Sequence, residues 1–170
     1  FLDRMKEREF EVACLPNAVL PWALQLRQRF GLDEFISHWV ISGEVGARKP
    51  SQAMFEALRR TSGVSFTNML LIDSEVSTLE AAKGLGISTV LLKGSALIPE
   101  GFPHPVINSF AELFRPSDSQ PDPKTESEIS ESKRMVWSYA AFPFGLFIWR
   151  IPNDSTRRPY FSANASNSAS

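Results

Sequence analysis

The sequence predicts an α/β fold built on a parallel sheet. Three observations carry that prediction. Short apolar runs alternate with amphipathic stretches of about ten residues between Phe10 and Phe114, the pattern of successive βαβ units. One of those runs, Leu70-Leu71-Ile72, ends on a carboxylate, Asp73. Upstream, a turn punctuated by glycine and proline, Ser42-Gly43-Glu44-Val45-Gly46-Ala47-Arg48-Lys49-Pro50, carries a lysine. An Asp at the C-terminal tip of a strand faces the crevice in which open α/β sheets bind ligands, and it can hold a metal ion there. A lysine beside it can neutralise a phosphoryl group or an anionic intermediate. Either residue alone reads as solvated. Placed together in a strand–helix series, they read as a site.

The elements follow in order. Phe1, Leu2 and Met5 have helical spacing, so residues 1–8 read as a helix end. Phe10 to Leu15 reads as a strand, broken by Pro16-Asn17. Pro21 opens a helix whose apolar face is Trp22, Leu26 and Phe30, with Gly31 just past its end. Trp39-Val40-Ile41 reads as a short buried strand leading into the Gly43–Pro50 loop. A helix over residues 51–61 turns Met54, Phe55 and Leu58 inward, and Met69 to Ile72 is the next strand. Ser77-Thr78-Leu79-Glu80 has the form of a capping box for a helix ending at Gly84 or Gly86. Ile87 to Leu92 and Val106-Ile107 are extended, and Phe110 to Phe114 is a final helical turn.

Composition bounds the function classes. Hydrophobic residues are 43% and charged residues 22% of the 170, ordinary for one globular domain with appendages. The net charge of −1 favours neither nucleic acid nor an anionic membrane as a partner. The single cysteine, Cys14, excludes an internal disulfide and a multi-cysteine zinc site, and its apolar surroundings read as core rather than nucleophile. His38 and His104 read as structural or solvated, since nothing nearby completes a metal or triad spacing. No signal peptide is visible at Phe1-Leu2-Asp3-Arg4, so a cytoplasmic location is expected, and a start other than Met suggests a fragment or processed product.

Beyond Phe114 the character changes. Residues 115–134 are rich in Ser, Pro, Asp, Glu and Lys, too polar to offset chain entropy, and read as a disordered linker. Residues 135–151 form an apolar segment of unknown role, and 152–170 read as a disordered tail. The apolar run 135–149 falls short of the roughly 20 residues that span a membrane and contains Pro143 and Gly145. Its aromatic residues suit either a membrane interface or docking onto the domain.

Cys14-Leu15-Pro16-Asn17-Ala18, the Ser42–Pro50 string, Leu71-Ile72-Asp73, Glu80-Ala81-Ala82, Leu85-Gly86-Ile87 and Val106-Ile107-Asn108-Ser109-Phe110-Ala111-Glu112-Leu113 together resemble the haloacid dehalogenase-like (HAD) hydrolases over residues 1–114. The resemblance implies a three-layer Rossmannoid core whose parallel sheet lacks its first strand, which in the family carries an Asp nucleophile. It also implies phosphate ester hydrolysis through an aspartyl-phosphate, with Mg²⁺ as cofactor and a small phosphorylated molecule as partner. Substrate choice in such proteins rests largely on a cap segment between the first two motifs, which this chain lacks.

Transferred to this chain, the resemblance makes Lys49 and Asp73 the catalytic residues. Asn17, Ala18 and Lys49 become the substrate-binding residues, and Asp73 the metal ligand, with Glu75 one residue out of place for that duty. Departures are equally specific. Pro16 stands where the family has Ser or Thr, and proline offers a phosphoryl oxygen neither a hydroxyl nor an N–H. Loss of one such donor typically costs about 10²–10³ in rate. Ser74 stands where a second Asp is usual and Thr78 where Asn is frequent, which weakens or removes Mg²⁺ binding. The expected function is thus a phosphatase-type hydrolase without turnover in this chain. The alternative is a non-catalytic binding or regulatory module, membrane-peripheral through residues 135–149. The missing strand sets one more expectation. The strands at 10–15 and 69–72 should either pair directly or leave backbone groups unpaired, giving a marginal, aggregation-prone domain.

Overall fold

The computed structural model describes residues 1–93, 98, 101–114 and 144–150. Six strands form one sheet: β1 (Phe10–Pro16), β2 (His38–Trp39), β3 (Leu70–Asp73), β4 (Ser88–Leu92), β5 (Val106–Ile107) and β6 (Phe144–Arg150). Their order is β2-β1-β6-β3-β4-β5. The neighbours β1/β2, β3/β4 and β4/β5 are parallel.

The strand β6 runs antiparallel to both its neighbours and lies between β1 and β3. The expected direct pairing of β1 with β3, or an unpaired gap between them, is therefore overturned, and the sheet is not wholly parallel. Seven residues of the apolar 135–151 segment supply the middle strand instead. The register runs from Phe10↔Arg150 to Pro16↔Phe144 on one side and from Leu70↔Ile148 to Ile72↔Leu146 on the other. The physical reason is composition. A strand covered on both faces must be apolar at every position, and Leu146-Phe147-Ile148-Trp149 is such a run. Leu146 and Ile148 join Val12, Cys14, Leu70 and Ile72 in one core, whereas Phe147 and Trp149 join Ala13, Leu15 and Leu71 in the other. Burial of each side chain contributes about 1.5–3 kcal/mol. Phe147 and Trp149 are buried and not presented to a membrane surface. The expected linker at 115–134 and tail at 152–170 lie outside the described residues.

Helices cover both faces, which makes the three layers. On the Phe147 side lie α4 (Gln52–Ser62) and α5 (Val76–Gly84), the former burying Met54, Phe55 and Leu58 as its spacing predicts. On the Leu146 side lie α1 (Leu2–Glu7), through Leu2 and Met5, and the 3₁₀ turn Phe110–Phe114. Two shorter or looser helices complete the set: α2 (Leu20–Phe30), ended by Gly31, and α3 (Ser42–Val45) inside the stretch expected to be a loop.

Two local expectations fail. The only buried side chain of α2 is Ala23, while Trp22 is 65% exposed and Phe30 39%. Apolar spacing shows which face can be buried and does not supply the element that buries it. The capping box at Ser77 is also absent. The helix α5 has Glu75 as its N-cap, two residues before the expected Ser77, with no side chain capping it, and the Glu75 N–H donates to Asp73 Oδ1 at 2.9 Å. By bonding the N–H two residues on, the strand-tip carboxylate sets the turn that leads into the helix ahead of Ser77.

Two outcomes test this packing. Phe147→Ala removes a fully buried ring that meets Phe55 edge-on at 6.1 Å. The expected cost is about 3–5 kcal/mol in urea unfolding, whereas a change within about 0.5 kcal/mol would place the residue on the surface. Burial pushes the Cys14 thiol up to about 12 from an ordinary 9.0. Below pH 9 this thiol should resist alkylation until the protein unfolds. Above pH 9 the unfolded thiol ionises and the folded one does not, so stability should fall with rising pH, and Cys14→Ala should flatten that slope. Rapid labelling of the native protein at pH 8 would contradict the burial.

Candidate functional site

The site forms at the C-terminal edge of the sheet, where β1 and β3 end. Asp73 is the last residue of β3 and is buried, so its carboxylate must find partners. It finds two. Oδ1 accepts the Glu75 N–H at 2.9 Å. Oδ2 accepts from Lys49 Nζ at 2.6 Å, a charge-assisted bond between side chains each only 1% exposed.

Lys49 reaches this position because the loop that carries it is clamped to the end of β1. The Asn17 side chain makes a reciprocal pair with the Lys49 backbone, its Nδ2 donating to Lys49 O at 3.2 Å and its Oδ1 accepting the Lys49 N–H at 2.8 Å. Next to it, Ala18 O accepts from Gly43 N at 3.1 Å and from Ser42 Oγ at 3.0 Å. A side chain at position 43 would bring Cβ to 3.2 Å from Ala18 O and 3.3 Å from Val19 Cα, so glycine lets the two loops meet. The Ser42–Pro50 string is thus a device for delivering one ammonium group to one carboxylate.

The sequence-predicted residues therefore divide. Lys49 and Asp73 converge. Asn17 lies beside them with both ends of its amide engaged by Lys49, which makes it a positioning residue. Ala18 enters through its carbonyl, and α2 begins beyond it with Val19 as N-cap. Glu75 is exposed, and its carboxylate accepts from the buried Thr78 hydroxyl at 3.1 Å, turned to its own helix. Pro16 closes β1 opposite Phe144. His38 pairs with Glu11 at 3.2 Å and His104 with the Thr89 hydroxyl at 2.7 Å, both structural duties. Burial, followed by the charge of Lys83, holds the His104 pKa below its ordinary 6.5.

One residue of the site was missed. Gly145, in β6, passes so close to the pair that a Cβ on it would lie 2.8 Å from Asp73 Oδ2, 2.9 Å from Lys49 Nζ and 3.2 Å from Leu71 Cδ1. The available signal was a glycine inside an otherwise apolar run, which often marks a close backbone approach.

The donor set does not fit Mg²⁺. Among the described residues no group of three or more His, Cys, Asp or Glu side chains could hold a metal. The one carboxylate present already gives an oxygen to an ammonium group, and magnesium demands near-octahedral oxygen ligation. Electrostatically the pair is self-neutralising.

No family model matches the chain. Solved structures do. A dehalogenase with an intermediate complex superposes with a TM-score of 0.53 at 20% identity, over 58% of this chain and 45% of that one. A HAD phosphatase from Thermococcus onnurineus superposes with a TM-score of 0.50 at 18% identity, over 54% and 43%. A HAD-family enzyme from Bacteroides thetaiotaomicron, complexed with magnesium and inorganic phosphate, covers 49% of this chain and 37% of its own at 23% identity. Its TM-score of 0.40 is too loose a match to inform the site. The chain spans less than half the length of each of these structures. The two superpositions with TM-scores of 0.50 or better agree on one conclusion: the described part of this chain shares its fold with part of the dehalogenase and HAD phosphatase structures.

Proposed function

We propose that the chain is a HAD-like hydrolase core of the phosphatase type that keeps an anion crevice and has no turnover of its own. One observation carries this reading. The Lys49 ammonium is delivered to the strand-end carboxylate of Asp73, 2.6 Å away, by a loop held at both Asn17 and Ala18. A bridge needed only for stability would not require that apparatus, since replacing a buried ion pair by apolar residues is often neutral or stabilising. A cation at the C-terminal edge of an α/β sheet suits a phosphoryl group, so the ligand class is a small phosphorylated molecule.

The absence of turnover follows from the same residues. Lys49 and Asp73 satisfy each other, so neither is poised to attack or to donate a proton. Pro16 brings no donor to the crevice. The middle strand offers a glycine beside the pair, where chemistry would need a reactive group. Mg²⁺ is what the HAD resemblance implies, with Asp73 as its carboxylate, but the donor set here does not fit it. A second reading, a non-catalytic binding module, is favoured by Gly145, whose backbone fills the space against the pair. Among the described residues no helix is long and apolar enough to cross a membrane.

The test is hydrolysis of an aryl phosphate by the purified chain with and without millimolar Mg²⁺. The expected result is a rate indistinguishable from buffer in both. Turnover that required Mg²⁺ and vanished in Asp73→Asn would overturn the reading and restore a working active site.

A further inference from the structure

The antiparallel entry of β6 has a consequence for access. Its first residues, Phe144 and Gly145, lie at the C-terminal edge of β1 and β3, the edge that holds the Lys49–Asp73 pair. Gly145 packs against both charged groups, and with it in place their side chains are 1% exposed. No phosphate can reach Lys49 past that backbone.

This end of β6 is also its least secured. On the β3 side the registered pairs stop at Ile72↔Leu146, so Phe144 and Gly145 are paired with β1 alone. On the β1 side the last partner is Pro16, which has no N–H to give the ladder. Gly145 itself adds the high backbone entropy of glycine and no side chain to anchor it. By contrast Leu146, Phe147 and Ile148 are paired with both β1 and β3. Strand ends with few ties open locally at a small fraction of the global unfolding free energy.

We propose that Phe144 and Gly145, the leading end of β6, are an autoinhibitory plug over the Lys49–Asp73 pair, and that anion binding at Lys49 requires this end to leave the sheet. The inference rests on the anion crevice proposed above. It adds that the crevice is closed by the chain's own strand and that ligand binding and strand opening are one equilibrium. A ligand that binds only the open form raises its population by the factor 1 + [L]/Kd.

Hydrogen exchange by NMR on the whole chain tests this, in 20 mM inorganic phosphate against chloride of equal ionic strength. With an open-state Kd of about 1 mM, exchange of the Gly145 amide should rise about 20-fold, while Phe147 and Ile148 keep their rates. A companion variant, Gly145→Ala, forces a Cβ toward both charged groups. It should lower the exchange protection of the amide at position 145 without phosphate and give phosphate-dependent shifts at Lys49 and Asp73 stronger than in the parent. Phosphate shifts at Lys49 in the parent with Gly145 exchange unchanged would overturn the plug while leaving the anion crevice intact. If Gly145→Ala opens the strand end and phosphate still produces no shift at Lys49, the crevice itself is refuted and the plug with it. Where Gly145→Ala does not fold, the parent's exchange rates decide alone, and rates unchanged by phosphate overturn the proposal.

Discussion

Two strands whose far sides are covered by helices cannot leave their facing edges unpaired. Every buried N–H or C=O without a partner costs about 1–3 kcal/mol, and a seven-residue edge carries enough of them to exhaust the stability of a domain this size. The whole molecule is arranged around how β1 and β3 meet that requirement. They do it through β6, a strand from far along the chain, running against the direction of its neighbours and paired on both sides. Its placement divides the apolar residues into the two cores and sets the distance between the β1 and β3 edges. It also brings a backbone to the place where Lys49 and Asp73 meet.

The ion pair and the strand constrain each other. The Lys49 and Asp73 side chains are each only 1% exposed, and each is the other's partner at 2.6 Å. The space beside them admits a backbone but not a side chain. Asp73 serves three neighbours at once, since one oxygen holds Lys49, the other accepts the Glu75 N–H in the turn before α5, and its backbone ends β3 beside β4. A residue so committed ties the loop, the helix and the sheet together at one point.

Much of this was legible in the sequence. The alternation of strands and helices, Asp73 at a strand tip, Lys49 on its turn, and the inward Met54, Phe55 and Leu58 all follow from periodicity and from a string whose spacing is specific. Other features were hidden for physical reasons. The outward Trp22 and Phe30 of α2 have correct helical spacing, and spacing is silent on what lies opposite. The start of α5 was misplaced because Asp73 sets the turn before the helix as well as ending the strand, and pattern reading grants a residue one duty. Leu146 to Trp149 is apolar enough for a doubly covered strand, yet an apolar run alone does not say which gap it fills or in which direction. Gly145 becomes meaningful only once Lys49 and Asp73 are known to stand beside it.

Both the fold and the closed crevice depend on β6 lying between β1 and β3, and the contacts of backbone protons across the sheet measure that directly. NMR on the labelled chain should show antiparallel cross-strand proton contacts between Ala13 and Phe147 and between Cys14 and Leu146, together with contacts from Leu71 to Phe147 on the other side. Contacts that instead join β1 directly to β3, with residues 144–150 showing none to either, would contradict it.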